Sequence, residues 1–177
     1  VECVMLINFK DDWKKDQSVM CEYVKNNAND DMFDEVEDLV DCLENIHNDE
    51  FYELFDSKHT FLWLAAFRNF KELTNYEVDD TKFADFLIEF NKTLQYKEVN
   101  GESFYDLCID KETGKNRATK DKYIVLSKFN KLLYLMKEFL GIEDNESSSN
   151  EENVKMTTEN KNLIKEVAHK ATAVKGM

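Results

Sequence analysis

Proline is absent from this 177-residue chain, and glycine occurs only four times. Turn-rich strand folds need both residues at their corners, so their scarcity argues for long helices ended by Asn, Asp and the few glycines. Arginine is also rare, at Arg68 and Arg117 alone, and 23 basic residues face 37 acidic ones for a formal charge of -14. That balance works against nonspecific attraction to nucleic acid or to an anionic membrane surface. The four cysteines, Cys3, Cys21, Cys42 and Cys108, include no close pair, which excludes a C-x-x-C redox dithiol and a tight zinc knuckle. Their even count permits two disulfides, but buried free thiols are the simpler expectation. No apolar run is long enough for a membrane span or a signal peptide, the opening "VECVMLINF" included. The expectation is a cytoplasmic protein without membrane contact.

Recognisable chemistry is equally sparse. The three histidines are His47, His59 and His169, and none stands in an H-E-x-x-H arrangement. His47 lies among Asp49 and Glu50 and reads as a surface residue, whereas His59 precedes an apolar run and is placed in a terminal turn or partly packed. No calcium loop, G-x-S-x-G elbow or phosphate-cradling loop occurs; "TGKNRATK" has one glycine where a cradle needs several, and no hydrophobic strand precedes it. No metal, cofactor or catalytic residue is expected from these patterns.

What the chain has is apolar content at helical spacing. Hydrophobic residues make up 42% and aromatic residues 12%, enough for a real core at this length. In "DDMFDEVEDLVDCLENI", Met32, Val36, Leu39, Leu43 and Ile46 recur at three and four residues, with Asp30 or Asp31 placed to cap the helix. A short helix through "DEFYELF" follows. The segment "HTFLWLAAFRNFKELTNY" is apolar on more than one face and reads as a helix that others surround. In "DDTKFADFLIEFNKTLQY", Asp79 or Asp80 can cap a stripe of Phe83, Phe86, Leu87, Phe90 and Leu94. The run "KYIVLSKFNKLLYLMKEFLG" carries Ile124, Phe129, Leu132, Leu133, Met136 and Phe139 and ends on Gly141. Toward the start, Trp13, Val19, Met20, Tyr23 and Val24 give a weaker helical pattern, and "CVMLINF" is compatible with a helix end or a short strand. The fold class is therefore all-α, an irregular multi-helix bundle over 1–141, with about five to seven helices from residue 12 on. An acidic Ser/Asn/Glu linker over 142–157 tethers a C-terminal amphipathic helix at 158–177 whose stripe is Leu163, Ile164, Val167 and Ala171.

Two charge blocks stand out. From Asn26 to Ser57 there is no Lys or Arg, and the acids Asp30, Asp34, Glu37, Asp38, Asp41 and Glu44 fall on the polar side of one helix, a surface that can orient a basic partner. In "NGESFYDLCIDKETGKNRATKDKY", residues 100–123, Lys111, Lys115, Arg117, Lys120 and Lys122 gather positive charge inside an acidic chain. A loop joining two helices accounts for these residues, with Thr119 as helix cap and Asp121 in the first turn. A contact with a phosphate or nucleic-acid backbone is the alternative, since the Arg117 fork suits such groups.

The order "FADFLIEFNKTL", "VNGESFYDL" and "RATKDKYIVLSKFNKLLYLM", with "ATKDK" at Ala118 to Lys122, resembles the helical region downstream of the nuclease-like domain in ParB-like proteins of the DUF262 type, over about residues 60–140. The resemblance implies an accessory helical module of a DNA-associated protein. The family's D-G-Q-Q-R signature does not occur here, so no catalytic residue carries over. The functional expectation is a noncatalytic helical interaction or accessory module, its partner another protein or an upstream domain, since the chain begins at Val1. Nucleic-acid contact through the 111–122 patch is the first alternative. A hydrolase or nuclease component in which Asp106 and Asp110 converge with Lys120 or Arg117 is the second.

Overall fold

The apolar stripes of residues 32–46, 83–94 and 124–139 become buried faces of helices in the computed structural model, which describes residues 1–117 and 120–143. Among the described residues there are seven α-helices and no strand, so the fold is all-α. The helices are α1 (Glu2–Asn8), α2 (Gln17–Asn27), α3 (Asp30–Asn45), α4 (Thr60–Leu73), α5 (Thr81–Lys92), α6 (Phe104–Cys108) and α7 (Lys122–Leu140). Three single 3-10 turns, Lys10–Asp12, Tyr52–Leu54 and Leu94–Tyr96, sit between them. The chain divides into two units, Val1–Gly141 and Ile142–Met177, and all seven of these helices belong to the first. The expected stripe of Leu163, Ile164, Val167 and Ala171, and all of the expected linker beyond residue 143, lie outside the described residues.

Helix α4 is the centre. Eight of its residues, from Phe61 to Phe67 and Phe70, are buried, which is why the segment shows no polar face in sequence. It packs on α1, α3 and α7, and its rings mesh with those of α5 through Phe67 on Phe83 and Phe70 on Phe83. Trp63 continues the aromatic array to Phe90 and Phe104. The opening segment is a helix: Cys3, Val4, Met5 and Leu6 are all buried, and burial all round erases the periodicity that would have marked it.

Caps fall close to their expected places, with small corrections. Asn29, not Asp30 or Asp31, caps α3, its side chain accepting from the Met32 amide, while the two aspartates occupy the first turn and face the positive end of the helix dipole. Asp79 accepts from the Thr81 amide just ahead of α5. Asp121 is itself the cap of α7, accepting from Tyr123, rather than a first-turn residue; Thr119 lies outside the described residues. Gly141 closes α7 at φ 70°, a left-handed position where a side chain would be strained. Trp13 lies ahead of α2 rather than in it, stacked on Phe61.

All four cysteines are free. Cys3 is buried, and burial pushes its thiol up to about 12, whereas Cys42 and Cys108 are half-buried and Cys21 is exposed rather than buried as expected.

Candidate functional site

The outer face of α3 is built by sequence spacing alone. Asp30, Asp34, Glu37, Asp38, Asp41 and Glu44 recur at three and four residues, opposite the inward Met32, Val36, Leu39 and Leu43, and all six are exposed. None of them is ion-paired with a described residue; the one acid of this helix that is paired, Glu35, accepts from Arg68 Nε at 2.8 Å. Phe33 and Val40, one heptad apart, leave apolar surface exposed on the same helix. At its C-terminal end this surface opens into a groove of about 180 Å³ between α3 and the start of α4, lined chiefly by Val40, Leu43, Phe51, Tyr52, Phe55 and Leu64. Tyr52 stands 64% exposed at its edge, with His47 packed edge-on against its ring.

The basic loop is organised by its own backbone. Asp110 accepts from the Glu112 and Thr113 amides, Gly114 turns at φ 67°, and Arg117 Nε donates to the Ile109 carbonyl at 3.1 Å. Lys120 reaches Gln17 Oε1 at 3.1 Å and pairs with Glu2, and Lys122 donates to the Asp11 carbonyl. Arg117, Lys120 and Lys122 therefore tie the loop to itself and to the N-terminal helices, while Lys111 and Lys115 are exposed. Asp106, the other carboxylate of this region, is engaged in a capping box with Ser103 at the start of α6. Residues 100–123 are thus not one loop, as their composition suggests: Phe104–Cys108 form α6, and Lys122 already begins α7.

A second cluster joins residues far apart in sequence. His59, the residue ahead of α4, donates from Nδ1 to Asp56 Oδ1 at 2.9 Å, and its Nε2 accepts from Lys128 Nζ of α7 at 3.0 Å. Asp56 also accepts from the Lys58 and His59 amides. This chain of donors and acceptors fixes a neutral imidazole with its proton on Nδ1. Lys128 is only 1% exposed and faces Cys108 and the Phe104 ring. The four side chains Asp56, His59, Cys108 and Lys128 line a cleft of about 230 Å³ with Ser57, Lys58 and Asn116. His59 occupies the terminal turn expected from its position, and its pairing with Lys128 is a finding of the structure. A signal exists: Lys128 stands four residues from both Ile124 and Leu132, on the buried stripe of α7.

Electrostatics follow from this geometry. Burial pulls the His59 imidazole below its ordinary value, and the Lys128 and Lys58 charges add to that against the opposing Asp56 carboxylate. Burial raises the Asp56 carboxyl, but the His59 hydrogen bond and the two amides outweigh it and hold the group below the usual carboxylate value. Burial raises the Cys108 thiol, with the Lys128 ammonium opposing, so the sulfur stays protonated near neutrality. A histidine depressed in the folded state stabilises the fold fully above its unfolded value of about 6.5, and that stability is lost as pH falls toward the folded value. The urea midpoint of unfolding should therefore drop on acidification below about pH 6.5, and His59→Gln should flatten that slope. A slope unchanged by the substitution would assign it to other groups.

No family model, curated protein or solved structure matches the chain. Among the described residues no helix is long and apolar enough to cross a membrane, and no three His, Cys, Asp or Glu side chains converge as metal ligands.

Proposed function

We propose that this chain is a noncatalytic helical interaction module, and that the outer face of α3 with its adjoining groove receives a basic, amphipathic helix from a partner protein or an upstream domain. The observation that supports this reading most is the coincidence of six exposed acids, without an ion pair among the described residues, with exposed Phe33, Val40 and Tyr52 along one helix and groove. Apolar anchors give such a contact its affinity, and a frame of one charge sign gives it orientation and partner choice.

A second feature points the same way. Asp41 and Glu44 lie toward the C-terminal end of α3, whose last turn has no basic residue. Carboxylates there face the negative end of the helix dipole, so the fold itself gains nothing from them. A basic partner helix would relieve that repulsion.

The test is titration of a fluorescent, amphipathic leucine–lysine helix into the full chain, followed by anisotropy. Saturable binding that weakens steeply with added salt is expected, and Tyr52→Ala should weaken it further by removing an anchor at the groove edge. Binding insensitive to both salt and Tyr52 would sink the reading.

A further inference from the structure

The cleft formed by residues 56–59 ahead of α4, the end of α6, Asn116 and α7 holds a buried ammonium, which is costly unless an anion compensates it. Lys128 is 1% exposed and makes no salt bridge among the described residues. Its hydrogen-bond partner is a neutral imidazole nitrogen, with a thiol and the face of Phe104 alongside. The nearest carboxylate in this chain of contacts, Asp56, is separated from it by the whole imidazole ring and is already engaged by His59 Nδ1 and two backbone amides. Asp56 therefore orients His59, and His59 orients Lys128, while the ammonium lacks a direct counter-charge among the described residues.

We propose that the cleft binds a small oxyanion, a carboxylate or phosphate group, with the Lys128 ammonium as its principal contact. The lining favours this class. Lys58 brings a second cation and Asn116 an amide that can donate, and the cleft of about 230 Å³ has room for a small ligand beyond a single water. A metal ion is disfavoured by the ammonium at its floor and by the lack of three converging ligands among the described residues. A wholly apolar ligand would leave the ammonium desolvated and unpaired. The bound oxyanion would accept from Lys128 while His59 Nε2 keeps that side chain from swinging away, so the Asp56–His59 pair serves as a positioning device.

Backbone amide spectra of the labelled full chain, titrated separately with sodium phosphate and sodium acetate against sodium chloride at matched ionic strength, test this. Saturable shifts of the Ser57, Lys58, His59 and Lys128 resonances are expected with one or both anions. Phosphate alone would assign the site to phosphoryl groups, and acetate alone to carboxylates. Lys128→Met, which replaces the charge by an apolar chain of similar length, should weaken binding by about tenfold or more. No saturable shift in the wild type, shifts confined to the Lys111 to Lys115 loop, or equal binding by the variant would each overturn the proposal. The wild-type titration decides the matter alone should the variant fail to fold.

Discussion

Trp63→Ala is expected to lower the free energy of unfolding by about 3–5 kcal/mol, the upper range for truncating a buried aromatic side chain. Trp63 is 1% exposed, and its ring meets Phe90 at 4.8 Å, Phe104 at 6.2 Å and Phe55 at 6.3 Å. These partners belong to α5, to α6 and to the segment that walls the groove, so one side chain joins three elements to the central helix. A domain has only about 5–15 kcal/mol in hand, so such a loss is a large share of it and, at the low end, nearly all. Trp63→Phe should lose well under half as much. The indole N–H has no acceptor among the described residues, so phenylalanine removes an unpaired buried donor while keeping most of the ring contact. Urea denaturation of the two variants checks this; equal losses would mean that the indole nitrogen has a stabilising partner after all.

The second large effect concerns binding. Neutralising Glu37, Asp41 and Glu44 together, as Glu37→Gln, Asp41→Asn and Glu44→Gln, should weaken capture of a basic helix by about tenfold or more, mainly at low salt. The same triple variant should unfold at a slightly higher urea concentration than the parent. Its residues are exposed and make no ion pair among the described residues, they repel one another at helical spacing, and two of them oppose the dipole of α3. Opposite signs for affinity and stability separate a binding surface from a structural one. Loss of stability in the triple variant would show that the acids hold α3 in place, and unchanged affinity would remove them from the contact.

Much of the architecture is legible in the sequence because the helices α3, α5 and α7 each bury one face, and one buried face leaves a period. Met32, Val36, Leu39 and Leu43 on α3, and Phe83, Phe86, Leu87 and Phe90 on α5, pack inward as their spacing requires. Gly141 ends α7 in the left-handed conformation that its residue type favours. Legibility fails where burial is complete or where elements are too short to repeat. Cys3 to Leu6 are buried on successive positions, and such a run has no period to distinguish helix from strand. Helix α6 spans only Phe104 to Cys108, less than two turns, although Ser103 and Asp106 carry the spacing of a capping box that marks its start. The choice of Asn29 over Asp30 as cap is set by backbone conformation, since both residue types cap well.

The sites divide in the same way. The acidic face of α3 is a property of one helix and is visible in full, whereas the groove beside it needs Phe51, Phe55 and Leu64 from later in the chain. The Lys128–His59 pair joins side chains 69 residues apart, and no local spacing encodes such a meeting. Its only trace is a lysine standing where the stripe of α7 calls for an apolar residue.

The most direct measurement of the proposed docking is the position at which a basic amphipathic helix lands on the full chain. Titrating the leucine–lysine peptide into labelled protein and following backbone amides should move the resonances of α3 from Asp34 to Glu44 together with those of Phe51 and Tyr52, saturating at the stoichiometry of one complex. Shifts spread over the surface without saturation, or gathered away from α3 and the groove, would contradict it.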